Sequence, residues 1–480
     1  MSAATANPPG LVACSREKAA HTRSSSGLST WQETTAYRSR DVTAILAEVW
    51  PRLLTRGRIA VAVVALAAAL PRLVVIAHER GTILTDFVDK SDRFARTLVD
   101  SGTFGFLPGR PSAYTQPLYG WFLAALYWPF GHSWPAVGLA QTAVGVATAL
   151  VVLEIGRELH SLSTGVVAAL ITTLHPYVIW HDLHANREVL DGLVLAVLVL
   201  LAVLAWDDRS LQAAAATGVV AGVAILGNAR LVALPLAIGV YLAWRLRPPG
   251  RGILTFLAVV VAAAAVVAPW VVRNRVQVGC FAITTDTRAL WKANNLNTYD
   301  VLARGGWIDD VPNLPGGPPW PELAADLTLV HPKRPVKVDE CAQMRLYRHE
   351  VVDFWRHHAR EKARLSAQAV RMLWTPKSSV ASDNEGTGGV ARDVRTKVEP
   401  AFMVVLYALA IAGIFFAPRF FVALALLLFA YNTAAAMAFA GAVRYRAPWD
   451  FLLALLAAFT IERLWRAVRR RGYEKPSAAR

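Results

Sequence analysis

Long apolar runs separated by short polar connections cover most of this chain. A helix needs about 20 apolar residues to cross a hydrocarbon core of about 30 Å, and ten stretches approach or reach that length. They are residues 59–77, 135–156, 164–180, 188–206, 212–229, 231–244, 253–272, 399–416, 420–438 and 447–464. The pattern predicts an all-α polytopic membrane protein with about ten transmembrane helices.

Composition agrees with this prediction. Of the 480 residues, 55% are hydrophobic and only 18% are charged, whereas soluble domains carry about 25% charged residues. Three cysteines cannot staple a chain of this size together. A string of ordinary soluble domains and a disulfide-framework protein are therefore both excluded.

Basic residues mark one side of the expected membrane. Lys and Arg number 50 against 34 Asp and Glu, and they concentrate in the two tails and in alternate connections between spans. With both termini in the cytoplasm, these connections lie inside, as the positive-inside rule requires. Because the basic clusters flank apolar segments, they indicate orientation and lipid contact rather than nucleic-acid binding. The expected location is the plasma membrane.

This topology divides the chain into five parts and predicts no cleavable signal. The parts are a largely disordered cytoplasmic tail (1–57), a transmembrane module (58–272) with a first outer loop (79–134), a large extracytoplasmic loop (273–398), the C-terminal transmembrane helices (399–465) and a basic cytoplasmic tail (466–480).

The two outer loops have features of their own. In the first, helices are expected at 86–98 and, lying in the membrane interface, at 117–130. In the second, the first half reads as irregular and 339–374 as one amphipathic helix on the outer leaflet. The second loop also holds Cys280 and Cys341. A disulfide and two separate thiols are both open, because spacing alone does not show that the two Cα atoms approach closely enough.

Polar residues gather at the outer ends of the spans, where they are costly and therefore informative. Asp86, Asp89 and Asp92 repeat every three residues after the first span. Other polar residues at this level are Arg72, Gln116, His181, Glu188, Arg230, Arg273, Asn274, Arg444, Tyr445 and Arg446. We interpret them as one basin that faces outward beside the lipid.

The mixture suits one chemistry in particular. Arginine binds phosphate through paired N–H donors, a carboxylate can remove a proton from a hydroxyl, and the bilayer supplies a substrate with an apolar tail. Transfer of a sugar from a lipid phosphate uses all three features. The main alternative is a transporter or lipid flippase. Such proteins usually have related halves and polar sites near the bilayer midplane, and neither is seen here.

In this order, these elements resemble the integral-membrane glycosyltransferases of the C-type fold, in particular glycosyltransferase family 39. That family includes protein O-mannosyltransferases and aminoarabinose transferases. The resemblance covers residues 58–465. It rests on the acidic first outer loop, the Pro117-x-Tyr119 helix, Glu188 at the start of a span, the glycine-spaced helix from Gly218 to Arg230, the Pro269–Asn274 span end and the late Arg444-Tyr-Arg-x-Pro turn.

The resemblance implies a polyprenyl-phosphate sugar donor and inverting transfer to a hydroxyl of an extracytoplasmic protein, lipid or envelope glycan. The chain would be a hexosyl- or pentosyltransferase whose base is an aspartate of the first outer loop. Asp86 matches best, and Asp89 and Asp92 are rivals because the helix phase is uncertain by one residue. Gln116 stands where relatives often carry a second acid, which argues against two acids sharing a metal. No cofactor is certain, and a divalent metal stays open.

These inferences assign roles to the polar residues. Asp86 or Asp89 accepts the proton of the acceptor hydroxyl. The donor phosphate is bound by arginines, which stabilise the charge that develops as it leaves; they are Arg230, Arg273, Arg444 and Arg446. The expected supporting residues are Arg72, Asp92, Gln116, His181, Glu188, Asn274 and Tyr445.

Overall fold

The computed structural model describes residues 57–78, 89–245, 249–377 and 394–473. Within these ranges the fold is all-α, and a single isolated β-bridge joins Leu107 to Arg110. The predicted tail at 1–57 lies almost wholly beyond the described residues, as does part of the basic tail. Asp86 also falls outside them.

The first half of the chain forms ten α-helices and one short 3₁₀ turn. They are α1 (Arg58–His78), α2 (Ser91–Ser101), α3 (Pro117–Phe130), α4 (Trp134–Leu159), α5 (Leu162–Thr173), α6 (Pro176–His181), α7 (Glu188–Asp208), α8 (Leu211–Gly227), the 3₁₀ turn Ala229–Leu231, α9 (Leu234–Arg245) and α10 (Pro249–Gln277).

The second half begins with short helices and ends with long ones. They are α11 (Arg288–Lys292), α12 (Thr298–Ala303), α13 (Pro321–Val330), α14 (Glu340–His357), α15 (Ala359–Trp374), α16 (Glu399–Gly413), α17 (Arg419–Ala438), α18 (Val443–Arg446) and α19 (Asp450–Tyr473). Short 3₁₀ turns lie at Ile308–Asp310 and Ala447–Trp449, and a π-helical turn at Val394–Val398 leads into α16.

The prediction of an all-α polytopic membrane protein is confirmed. Among the described residues, six helices are long and apolar enough to cross a membrane by length and composition. They are α1, α4, α7, α10, α17 and the helix Thr396–Gly413 that contains α16. Helices α5 and α8 and the segment Ala229–Trp244 are shorter apolar helices, and α19 combines an apolar first half with a basic end.

The third predicted span is broken, which corrects the single helix expected at 164–180. Helix α5 ends at Thr173, and α6 begins at Pro176. Proline lacks an N–H and disfavours helical geometry in the preceding residue. His175 is accordingly extended, and its side chain accepts a hydrogen bond from the Tyr177 N–H to cap α6. The break places the end of α5 beside Arg72.

Close helix packing explains the glycine spacing noted before Arg230. A Cβ atom at Gly218 would lie 2.3 Å from the carbonyl oxygen of Val259, and one at Gly222 would lie 2.8 Å from that of Ala263. Small residues let helix backbones approach each other in membranes. The glycines therefore let α8 pack directly against α10, and this contact fixes the end of α8 that leads to Arg230.

The large loop also differs from its prediction. The amphipathic helix expected at 339–374 is two helices, because His358 leaves the helical conformation (φ −121°, ψ 49°). The break lets α14 pack on α11, where the rings of Trp291 and Tyr347 lie 5.6 Å apart, while α15 packs against α17. A disulfide joins Cys280, just after α10, to Cys341 in α14, with the two Cα atoms 5.9 Å apart.

Candidate active site

One end of the helix bundle and the large loop enclose a cavity of about 710 Å³. We call the side formed by the ends of the long helices the helix wall; its polar residues are Asp89, Gln116, Arg187, Asn228, Arg230, Arg444 and Tyr445. We call the opposite side the loop wall; its polar and aromatic residues include Asp286, Arg288, Lys292, Asp309, Asp310, Trp320 and Glu322.

Two arginines contact Tyr445 on the helix wall, and a third lines the same wall. The guanidinium carbon of Arg230 lies 3.5 Å from the ring centroid, and Nη2 of Arg444 donates a hydrogen bond of 3.0 Å to the phenol oxygen. Arg187, which directly precedes α7, lines the same wall. Such a concentration of guanidinium groups is suited to binding a phosphate.

The positive charge of this cluster affects the pKa of Tyr445. Burial raises the pKa of a tyrosine, but the charges of Arg444, Arg230 and Arg187 outweigh it and hold the pKa of Tyr445 below its ordinary value. The side chain is only 7% exposed. The cluster therefore stabilises negative charge at the place where Tyr445 lies, away from bulk water.

Arg187 is held from both sides. Its Nη1 donates a hydrogen bond of 2.9 Å to Oε1 of Gln116, the residue just before α3. Burial alone would lower the pKa of Arg187, but the carboxylates of Glu188 and Asp89 raise it above the usual value. Arg187 thus stays charged. Gln116, which departs from the acid of the relatives, acts as a neutral acceptor for an arginine.

Asp89 lines the cavity beside this cluster. Its carboxylate oxygen Oδ1 accepts hydrogen bonds from the backbone N–H of Ser91 at 2.8 Å and from the Ser91 hydroxyl at 2.5 Å. Burial raises the pKa of Asp89, but the charge of Arg187 and the two bonds from Ser91 outweigh burial and lower it. The carboxylate is therefore ionised at neutral pH and can accept a proton.

Asp92 points away from the cavity, toward Tyr127 and His132. Its carboxylate accepts a hydrogen bond of 2.6 Å from the phenol of Tyr127, lies 2.8 Å from His132 Nε2 and pairs with Arg96. These contacts tie α2 to the end of α3, and Asp92 does not line the cavity. Of the two rival aspartates that the structure describes, Asp89 is the one at the cavity.

Arg273 was expected to bind the donor phosphate and Asn274 to support the site, and both side chains lie outside the cavity lining. Arg273 donates hydrogen bonds to the carbonyl oxygens of Ser112 at 2.8 Å and Phe104 at 3.0 Å. Asn274 is fully buried and donates to the carbonyl of Ala282 at 2.8 Å. Arg273 fixes the first outer loop to the end of α10, and Asn274 fixes the start of the large loop there. Neither side chain lines the large cavity, and the position of Arg273 argues against phosphate binding.

Arg446, also predicted to bind the donor phosphate, does not line the cavity. It is completely buried, pairs with Asp450 at 3.1 Å and donates hydrogen bonds to the carbonyls of Leu373 and Thr375. Residues two apart on a helix do not face the same side. Since Arg444 faces the cavity from α18, Arg446 points away from it and instead anchors the end of α15.

The remaining supporting residues lie behind the helix wall. Arg72 is buried and pairs with Asp182 at 2.7 Å, and it also donates a hydrogen bond of 3.0 Å to the Thr173 hydroxyl. His181 is buried and contacts the Asn186 amide at 2.8 Å. Oε1 of Glu188 lies 3.6 Å from Nε of Arg444. Arg72, His181 and Glu188 do not line the large cavity.

The loop wall contains site residues that the sequence did not single out. Lys90 pairs with Asp286. Arg288 donates a hydrogen bond of 2.9 Å to Asn313 and stacks on Trp320, with 3.8 Å from its guanidinium carbon to the ring centroid. Asp286 and Arg288 come from the first half of the large loop, which the sequence pattern describes as irregular, so no local pattern predicts that they reach the cavity.

A metal has no evident site in the described part of the chain. No group of three or more His, Cys, Asp or Glu residues within it is arranged to hold a metal ion. On the cavity walls, carboxylates such as Asp89 and Asp286 are instead close to cations of the protein itself.

One family of known proteins matches part of the chain. Residues 110–272 match the family described as dolichyl-phosphate-mannose-protein mannosyltransferase. This range contains Gln116, Arg187 and Arg230 of the helix wall. No curated protein matches the chain. The family match confirms the resemblance on which the sequence interpretation relied.

Proposed function

We propose that this chain, a membrane glycosyltransferase of the mannosyltransferase type, moves a sugar from a polyprenyl-phosphate donor to a hydroxyl of an extracytoplasmic acceptor inside the 710 Å³ cavity. The observation that carries the proposal is the placement of an ionised aspartate beside three arginines on one wall. Either group alone is common on a protein surface, whereas the reaction needs both at once.

The donor phosphate is bound by the arginine cluster. Arg230 and Arg444 come from opposite parts of the chain and meet at Tyr445, while Arg187 extends the cluster toward Asp89. This set replaces Arg273 and Arg446 of the sequence expectation. Guanidinium groups fixed before the reaction stabilise the charge that develops on the phosphate without needing to reorganise.

Asp89 is the general base of the proposed reaction. It takes the proton from the acceptor hydroxyl, whose oxygen attacks the anomeric carbon from the face opposite the phosphate. The bond between that carbon and the phosphate oxygen breaks, and its electron pair stays on the phosphate. Attack from the opposite face inverts the anomeric configuration. A positioned base contributes about 10²–10⁴-fold to the rate of such a step.

The large loop supplies the acceptor side of the cavity. Loops on a rigid scaffold commonly determine specificity, and the loop wall offers Asn313, Trp320 and Glu322 to the cavity. The disulfide between Cys280 and Cys341 supports an extracytoplasmic location of this loop, because disulfides persist in oxidising compartments.

A transfer assay with purified protein tests the proposal. Asp89→Asn is expected to lower the transfer rate by about 10²–10⁴-fold while the protein still binds the donor. Asp100→Asn is the matched control, since Asp100 is exposed on α2 and lies outside the cavity lining. Asp86→Asn is measured in parallel. Full activity of Asp89→Asn together with loss in Asp86→Asn would move the base to Asp86.

A further inference from the structure

Glu188 occupies an unusual position for an acidic residue. It is the first residue of α7 and is only 7% exposed. Its Oε1 lies 3.6 Å from Nε of Arg444, but among the described residues neither of its carboxylate oxygens accepts a hydrogen bond. A buried carboxylate is costly unless it is paired and hydrogen-bonded. Its interaction with the arginine cluster is therefore mainly one of charge.

Glu188 lies outside the lining of the cavity in which the substrates are proposed to bind. The residue lines two small cavities of about 40 and 20 Å³, and it does not line the large one. The smaller of the two also contains Arg230 and Tyr445. Glu188 thus lies behind the arginine cluster, on the side away from the reacting groups, and acts on them through Arg187 and Arg444.

The charge of the phosphate changes during the proposed reaction. In the donor, the phosphate is a diester with one negative charge. When the bond to the anomeric carbon breaks, the electron pair remains on oxygen, and the polyprenyl phosphate product carries two negative charges. A cluster of guanidinium groups attracts the second charge as strongly as the first. Without an opposing negative charge nearby, the enzyme would bind the polyprenyl phosphate product more tightly than the donor substrate.

We propose that the negative charge of Glu188 opposes this effect. It weakens the binding of a dianionic prenyl phosphate relative to a monoanionic prenyl phosphodiester, and so permits product release. Glu188 is then a positioning and charge-tuning residue that selects between two phosphate charge states. The inference rests on the proposed function, because it takes the arginine cluster to be the phosphate site.

Binding measurements with two small probes test this inference without turnover. The probes are farnesyl phosphate, which is dianionic at about pH 8, and its methyl diester, which is monoanionic; their dissociation constants are measured with the full-length protein in lipid nanodiscs. In Glu188→Gln, the ratio of the two affinities is expected to shift toward the dianion by about tenfold. That is the effect of one unit charge about 10 Å away at an effective dielectric constant of about 20.

Two further variants separate charge from folding. Glu188→Asp keeps the charge and is expected to keep the wild-type ratio. Glu154→Gln removes another buried carboxylate that pairs with an arginine, Arg157, and that lines none of the three cavities; it is expected to leave the ratio unchanged. If Glu188 has a role in folding alone, Glu188→Gln should weaken the binding of both probes equally. This result would overturn the inference.

The outcomes also distinguish the inference from the function on which it rests. If the wild-type protein binds both probes and Glu188→Gln leaves their ratio unchanged, the charge-tuning role is wrong and the phosphate site stands. If neither probe binds the wild-type protein, the arginine cluster is not a phosphate site, and both proposals fall together.

Discussion

The guanidinium group of Arg230 stacks on the ring of Tyr445, with 3.5 Å between its central carbon and the ring centroid. Arg230 follows α8, whereas Tyr445 lies in the turn between α17 and α19. Arg444 donates a hydrogen bond to the phenol oxygen of the same tyrosine. Tyr445 thus positions two arginines, Arg230 through its ring and Arg444 through its oxygen. The geometry of the proposed phosphate site depends on this one aromatic residue.

Substitution of Tyr445 should separate its two contacts. Tyr445→Phe keeps the ring below Arg230 and removes the bond to Arg444, so kcat/KM for the donor should fall by about tenfold, as for loss of one hydrogen bond to a charged group. Tyr445→Ala also removes the cation–π contact, and the loss should exceed that of the phenylalanine variant by at least about threefold. Steady-state kinetics with varied donor measures both. Equal losses in the two variants would show that the ring contact contributes nothing.

The effect of substituting an arginine on donor binding should depend on whether its side chain lines the cavity. Arg444→Lys removes a fork of donors at the cavity and should raise the KM for the donor by about tenfold or more. Arg273→Lys alters contacts to the Ser112 and Phe104 carbonyls, so it should lower the melting temperature and leave the donor KM nearly unchanged. Donor titrations and thermal unfolding of the purified variants check this. A large donor KM effect at Arg273 with normal stability would contradict the site.

The pH dependence of activity should follow the pKa of Asp89. A general base works when ionised, and this pKa lies below the ordinary aspartate value, which is about 3.9. Activity controlled by Asp89 is therefore fully present at neutral pH and is lost only as the pH falls through the lowered pKa. A profile of kcat/KM should show no acid limb from this group above about pH 5.

Removal of the Arg187 charge should shift the acid limb of the kcat/KM profile to higher pH. The charge of Arg187 is the largest influence that lowers the pKa of Asp89, and burial opposes it. In Arg187→Gln the pKa of Asp89 should therefore rise, and kcat/KM should begin to fall at a higher pH than in the wild-type protein. An acid limb at the same pH in both proteins would show that another group acts as the base.

The Arg72–Asp182 pair should contribute to stability more than to chemistry. Arg72 is 1% exposed, so Arg72→Met leaves the carboxylate of Asp182 without its buried partner, a change that typically costs about 3–5 kcal/mol. The double variant Arg72→Met, Asp182→Leu should recover much of this loss, because it removes both charges. Thermal unfolding in detergent compares the wild-type protein, the single variants Arg72→Met and Asp182→Leu, and the double variant. Additive losses in the double variant would argue against a direct pair.

Sequence patterns predicted the helices well because the bilayer imposes long apolar runs on them. Each of the ten predicted apolar stretches is helical over most of its length. Hydropathy missed the break before Pro176 because it averages over neighbouring residues. The presence of a proline there is itself a local signal, and it predicts the break when it is considered together with hydropathy.

The location of the candidate site was predictable, whereas only some of its members were. The sequence indicated that acids and arginines share one end of the bundle, and Asp89, Arg230 and Arg444 indeed line one cavity. It could not show that Arg446 turns inward toward Asp450, because this depends on the helix phase. The loop wall was missed because contacts between distant segments leave no periodic pattern in the sequence.

The most direct test is a structure of the Asp89→Asn protein with a bound polyprenyl-phosphate sugar, determined by electron cryomicroscopy in nanodiscs. The account predicts that the phosphate lies within hydrogen-bonding distance of Arg230 and Arg444, with the anomeric carbon facing the side chain of residue 89. A phosphate bound at Arg273 or Arg446, or a sugar turned away from residue 89, would contradict it.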